Sequence, residues 1–198
     1  MSTAIRTRST VKRQPDRARY DTEAVHAVLD AAPMGHLGFV VDGQPFVIPM
    51  LYGRCGEAVY LHGSVASRLL RTMAGGVPVC LTVTVVDGLV LARSAFHHSM
   101  NYRSAVVFGT AVPAEGDEKV AGLKAISDHL RPGRWDEVRE PSDLELRQTS
   151  VLRLDIEEAS AKARAGGPID EPEDHDLPVW AGVVPCELVW GTPVPDVA

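Results

Sequence analysis

Residues 61–73, LHGSVASRLLRTM, place an imidazole, two serines and an arginine where an apolar run hands over to a helical pattern. The run ends at His62, passes the small residues Gly63, Ser64 and Ala66, and then presents Ser67 and Arg68. A helix start carries unpaired N–H groups and a partial positive charge, so it favours an anion. Small residues let the backbone come close to such a group. The Ser64 and Ser67 hydroxyls can donate to it, and Arg68 offers a forked cation suited to phosphate. The same residues equally suit a serine-capped surface helix with an ordinary basic side chain. No G-x-x-x-x-G-K-[ST] loop is present, and no G-x-G-x-x-G follows a strand pattern.

Other residues with chemical potential are less organised. His97 and His98 are neighbours, and neighbours on an extended chain face opposite ways, so at most one can serve a given site. No Cys, Asp or Glu close in sequence completes a metal shell around them. Ser160, Lys162 and Arg164 alternate and share one face of an extended segment, where they suit either an anion or a solvated exit. Trp180 and Trp190 are large aromatics of the C-terminal segment, fitted to core or interface packing. The acidic run IDEPEDHD (169–176) reads as a solvated loop. Cys55, Cys80 and Cys186 are odd in number and far apart, which predicts reduced, mostly packed thiols.

Positioning these residues falls to a mainly β chain. YDTEAVHAVLDAAPMG predicts a helix capped by Asp21 or Thr22 and stopped by Pro33 and Gly35. HLGFVV, PFVIPMLYG and AVYLH are then short β-rich runs separated by the turn signals DGQP (42–45) and RCGE (54–57). VPVCLTVTVV and LVLARSAF flank Asp87-Gly88, a hairpin signal. YRSAVVFGTAV, SVLRLDIE and CELVW predict further strands, and DEKVAGLKAISDHLRPG an amphipathic helix. Seven or eight strands and two or three helices without βαβ alternation favour a closed antiparallel barrel with peripheral helices.

The stretch FVIPMLYG…VYLHGSVASRLLRTM…VPVCLTVTVVDGLVLARSAFHHSMNYRSAVVFGTA resembles the pyridoxamine 5'-phosphate oxidase-like, FMN-binding split-barrel family, in its nitroimidazole-resistance-like branch. The resemblance covers roughly residues 17–195, and its most specific parts are H-G-S-x-x-S-R and N-Y-R-S. It implies a mainly β antiparallel split barrel, residues 17–198 with a C-terminal extension, forming a homodimer with FMN at the interface. By the same resemblance Ser67 and Arg68 are expected to hold the FMN phosphate. The backbone of Val47, Ile48, Pro49 and Met50 would line the isoalloxazine edge, and Leu61 and His62 would close the phosphate and ribityl side. Tyr102, Arg103 and Ser104 would reach the flavin from the next strand, with Trp180 as a further contact; Lys162 is expected there from its place in the alternating segment.

The function expected from this is a flavin-dependent oxidoreductase acting on a small, electron-poor, nitroaromatic-like compound, with His62 as proton donor. The alternatives are a non-catalytic flavin-binding or redox-sensing protein, or a split barrel using haem or deazaflavin. No Lys or Arg follows Arg164, so the C-terminal Arg-x-His element of true pyridoxamine-phosphate oxidases is absent and that activity is not expected.

Bulk properties bound the rest. The chain has 198 residues, 45% of them hydrophobic, enough for a substantial core. Its net charge of −6 is uneven, with Arg6, Arg8, Lys12, Arg13, Arg17 and Arg19 crowding the start. Residues 1–16 therefore read as a basic arm. It lacks interleaved aromatics, which argues against nucleic acid and for a solvated or partner-docking role. No apolar run approaches the roughly 18–20 residues of a membrane span, and no apolar leader core opens the chain. A cytoplasmic protein without a membrane partner is expected.

Overall fold

The computed structural model describes residues 8–196. Arg6 of the expected basic arm and the last two residues lie outside the described range. Ten strands are present among the described residues: β1 (Ala18–Arg19), β2 (Met34–Val41), β3 (Gln44–Cys55), β4 (Ala58–Ser64), β5 (Pro78–Leu91), β6 (Ser99–Thr110), β7 (Val112–Pro113), β8 (Thr149–Asp155), β9 (Glu158–Arg164) and β10 (Gly182–Pro185). The α-helices are α1 (Thr22–Leu29), α2 (Arg68–Ala74), α3 (Gly116–Leu130), α4 (Arg134–Glu137) and α5 (Asp143–Gln148). The strand order is β1-β9-β6-β5-β2-β3-β4-β8-β7, with β10 on β5. That path is open at both ends, so the closed barrel expected from periodicity gives way to the split form, mainly antiparallel β with peripheral helices.

Local chemistry accounts for the first half closely. Asp21 caps α1 by accepting from the Ala24 N–H at 2.9 Å. The β2–β3 hairpin turns on Asp42 (φ 50°) and Gly43 (φ 79°), the left-handed pair a two-residue turn requires. That turn sets the register Phe39↔Phe46, and the two rings stack at 5.5 Å.

Two compact units divide the chain. Among the described residues the first comprises 8–85 and 104–162. Its main core joins Leu29 of α1 to Leu37, Tyr52, Leu61, Leu81, Val107 and Leu152 of the sheet. A smaller cluster, Ala58, Tyr60, Ala114, Ile126 and Val151, lies on the other face of β4 and β8 beneath α3. Gly53 lets α3 settle directly on β3: a Cβ there would stand 2.3–2.4 Å from the backbone of Ala125 and Ile126. The chain leaving α1 is also tied in, since the buried Tyr52 phenol donates to Ala32 O at 2.9 Å and His129 Nε2 lies 2.8 Å from the same oxygen. The arm is docked from residue 8 onward. Arg8 pairs with Glu158 at 2.7 Å and lies 5.4 Å over the Phe108 ring, and Lys162 donates to Arg13 O at 2.8 Å.

Among the described residues the second unit comprises 86–103 and 163–196. Here several expectations fail. Asp87-Gly88 is no hairpin turn, because β5 runs straight through it to Leu91. Gly88 instead lets β10 come close: a Cβ would meet Val184 O at 2.8 Å. CELVW is not a strand; β10 is the preceding GVVP, and Leu188, Val189 and Trp190 are exposed. The acidic run is not simply solvated either. The Asp170 carboxylate accepts from the Arg93 backbone N–H and guanidinium, both at 2.8 Å. Arg164 is buried and donates to Asn101 Oδ1 and to the Gly166 and Gly167 carbonyls, so it is not free for a ligand anion. All three cysteines are free, but Cys55 and Cys186 are exposed rather than packed.

Candidate functional site

Strand β4 separates two environments one residue apart. Side chains alternate along a strand. Leu61 is fully buried in the main core, while His62 follows Tyr60 onto the face beneath α3. The strand does not stop at His62, as the sequence suggested, but pairs on through Ser64↔Thr149. His62 lies opposite Val151 in that ladder, and its Nδ1 is buried without a hydrogen-bond partner. Burial lowers the His62 pKa, because the low-dielectric surroundings disfavour the imidazolium. The ring is therefore neutral near pH 7.

A cavity of about 600 Å³ opens beside this ring. Leu51 of β3 and Leu123, Ile126 and Leu130 of α3 line it, with Trp135 of α4 and Val138 just after it. Arg139 and Glu145 of the α4–α5 segment carry its charges. The volume falls within the ~300–1,000 Å³ typical of sites for drug-sized ligands and cofactors, and such sites combine an apolar wall with a few polar groups. The lining residues other than His62 were missed in the sequence. The signals were the α3 stripe Leu123–Ile126–Leu130 at helical spacing and the capping box Ser142-x-x-Glu145, which the structure shows complete.

The turn before α2 is a second feature of the same unit. Ser64 Oγ accepts from Ala66 N–H at 3.1 Å, and Ser67 caps α2 by accepting from Leu70 N–H at 3.4 Å. Arg68 is exposed and pairs with no carboxylate among the described residues. The hydroxyls and the free guanidinium fit an anion, and the short helix fits the capped-surface reading as well.

Met34, Val40, Val47 and Leu51 are exposed on the outward face of the β2–β3 hairpin, with His36 among them. Register places Met34 beside Leu51, Gly38 beside Val47 and Val40 beside Pro45. Val47 is 64% exposed and Val40 55%. Ile48 and Met50 point inward and pack on the main core. Pro49 is exposed beside His36.

The remaining residues expected at the site are placed as follows. Ser104 Oγ donates to Lys162 O at 3.4 Å within the first unit. Tyr102, Arg103 and Trp180 belong to the second. Arg103 is engaged by Asp87 at 2.8–3.2 Å, and Trp180 is 62% exposed with its ring over Gly182. His97 Nε2 approaches Glu171 at 3.5 Å.

Comparison with known proteins adds the following. A family model described as pyridoxamine 5'-phosphate oxidase matches residues 21–163. The structure of the flavocytochrome Anf3 from Azotobacter vinelandii is similar with 42% identity and a TM-score of 0.88, covering 96% of this chain and 89% of that one. An FAD- and haem-binding protein from Mycobacterium smegmatis gives 39% identity and a TM-score of 0.88, covering 92% and 91%. A candidate 5-nitroimidazole antibiotic resistance protein from Bacteroides thetaiotaomicron gives 23% identity and a TM-score of 0.60, covering 73% and 85%, a likeness of fold alone. A search of curated proteins returned no match.

Proposed function

Because the chain belongs to the pyridoxamine 5'-phosphate oxidase family, we propose that it is a redox protein that binds a flavin and a haem. The observation that carries the reading is the imidazole of His62, its pKa lowered by burial, on the wall of an apolar cavity of about 600 Å³. A neutral imidazole in an apolar pocket has the donor chemistry that would hold a haem iron. The named properties of two relatives at 42% and 39% identity point the same way.

The flavin belongs at the turn before α2. Ser67 and Arg68 would take the phosphate of a flavin mononucleotide unit, which FMN and FAD share, and the Val47–Met50 backbone would lie along the ring. Within the first unit, Ser104 and the backbone of Leu61 remain further contacts inferred from the family pattern, and Lys162 one inferred from the alternation along β9. When bound, a flavin supplies one- and two-electron steps and a haem one-electron and oxygen chemistry. The chain's own contribution is to hold each group, to keep His62 neutral and oriented, and to exclude water with α3.

This reading moves His62 from proton donor to ligand, since burial disfavours the protonated form that a donor needs. It also sets aside the nitroaromatic substrate, whose support is a likeness of fold alone. The apolar β2–β3 face is assigned to a second copy of the chain, as the homodimer of the resemblance requires.

The test is direct. Absorbance of the purified protein and mass spectrometry of its extracted small molecules are expected to show FMN or FAD together with a porphyrin. Flavin without porphyrin after growth with haem precursor would overturn the haem half, and a colourless protein would overturn both.

A further inference from the structure

We propose that Arg139 anchors a carboxylate of the molecule filling the His62 cavity, and that Glu145 holds this anchor in place until the carboxylate replaces it. The inference rests on the haem reading. It concerns how the cavity recognises the polar edge of an otherwise apolar group.

Arg139 and Glu145 are the charged members of the lining, and Arg139 is its cation. Glu145 accepts from Arg139 Nη1 at 2.8 Å and from Nη2 at 2.6 Å, the forked geometry a carboxylate favours. Their side chains are 72% and 45% exposed, so the pair sits at the mouth, in water. Exposed pairs contribute little to stability, and exchanging one carboxylate for another there costs correspondingly little.

The two partners differ in what they keep afterwards. Glu145 still accepts from the Ser142 backbone N–H at 2.8 Å and its hydroxyl at 3.0 Å, so α5 stays capped. Arg139 would keep only its bond to Glu140 O at 3.1 Å. The cation is thus the member free to change partner, and the acid stays put. An iron porphyrin has the matching pattern: an apolar ring with carboxylates along one edge. The cavity offers apolar walls from β3 and α3 within and one guanidinium at the lip.

The experiment titrates the pigment-free chain with ferric haem and, separately, with haem dimethyl ester, following the haem absorbance band. Wild type, Arg139→Gln and Glu145→Gln are compared, with circular dichroism confirming the fold of each. Arg139→Gln is expected to weaken haem binding about tenfold, and to leave the ester unchanged. Glu145→Gln keeps the capping box, since Gln serves there as Glu does, and is expected to tighten haem binding several-fold. Equal affinity of wild type and Arg139→Gln for haem, or equal weakening toward haem and ester, overturns the anchor. No gain in Glu145→Gln overturns the placeholder. If wild type binds neither pigment, the haem reading itself falls, an outcome distinct from the other two.

Discussion

The Asp170 carboxylate and Arg93 hold each other twice, through the Arg93 backbone N–H and its guanidinium, each at 2.8 Å. The Asp170 side chain is only 2% exposed although it lies in the acid-rich loop. Burial pushes its pKa up, and the Arg93 hydrogen bonds and charge outweigh that, so the net shift is downward. A depressed carboxylate stabilises fully above the ordinary carboxylate range, and that contribution is lost as pH falls through the lowered value. Asp170→Asn is therefore expected to speed hydrogen exchange in residues 86–103 and 163–185 while sparing the first unit's core. Uniform acceleration across the chain would contradict it.

The neutral His62 gives a pH dependence of its own. Its folded pKa lies below 6.5, so the unfolded chain binds the extra proton first as pH drops. Stability from this group therefore rises with pH through the window below 6.5 and is level above it. The pigment-free His62→Gln variant is expected to lose less melting temperature between pH 7 and pH 5 than wild type. The same variant is expected to lose the haem band and keep the flavin band.

Arg68→Ala tests the flavin turn separately. One charge-assisted contact is worth about 1.5–3 kcal/mol, which corresponds to flavin binding weaker by about 10- to 100-fold. The fold should persist, because Ser67 still caps α2. Unchanged flavin fluorescence titration in this variant would remove the phosphate assignment.

Gly53→Ala should show how tightly α3 is seated. The added methyl has no room against the Ala125 and Ile126 backbone, so the helix must move. Overpacking of this kind costs about 1–3 kcal/mol, measurable by urea denaturation. Haem affinity should fall with it, since α3 forms one wall of the cavity. A variant as stable as wild type would show that α3 adjusts freely.

Val47→Asp places a charge on the apolar β2–β3 face. Light scattering is expected to give twice the chain mass for wild type and the single mass for the variant. A wild-type monomer would withdraw that face from a second copy.

Local signals carried the first half of the fold. Asp21, the Asp42-Gly43 turn and the alternation around Phe39 and Phe46 each act within a few residues, and each is visible as spacing. Asp87-Gly88 carries the same short signal yet lies inside a strand, because its glycine answers to Val184 and its aspartate to Arg103. Neither partner is near in sequence. The candidate site divides in the same way. The residues around His62 and Arg68 were legible as a junction, but the cavity needs α3, α4 and α5 folded over β4, and only their packing reveals it. Trp135 and Arg139 lie in a segment too short to show a helical period.

The alternation at Leu61 and His62 makes β4 intolerant of changes in length. One residue inserted or deleted between Ala58 and Leu61 would rotate the rest of the strand by half a turn. The imidazole would then be driven among Leu37, Leu81 and Leu152, and a leucine would stand where the porphyrin is expected. Point substitutions along this strand can be graded in effect; an indel there inverts inside and outside together.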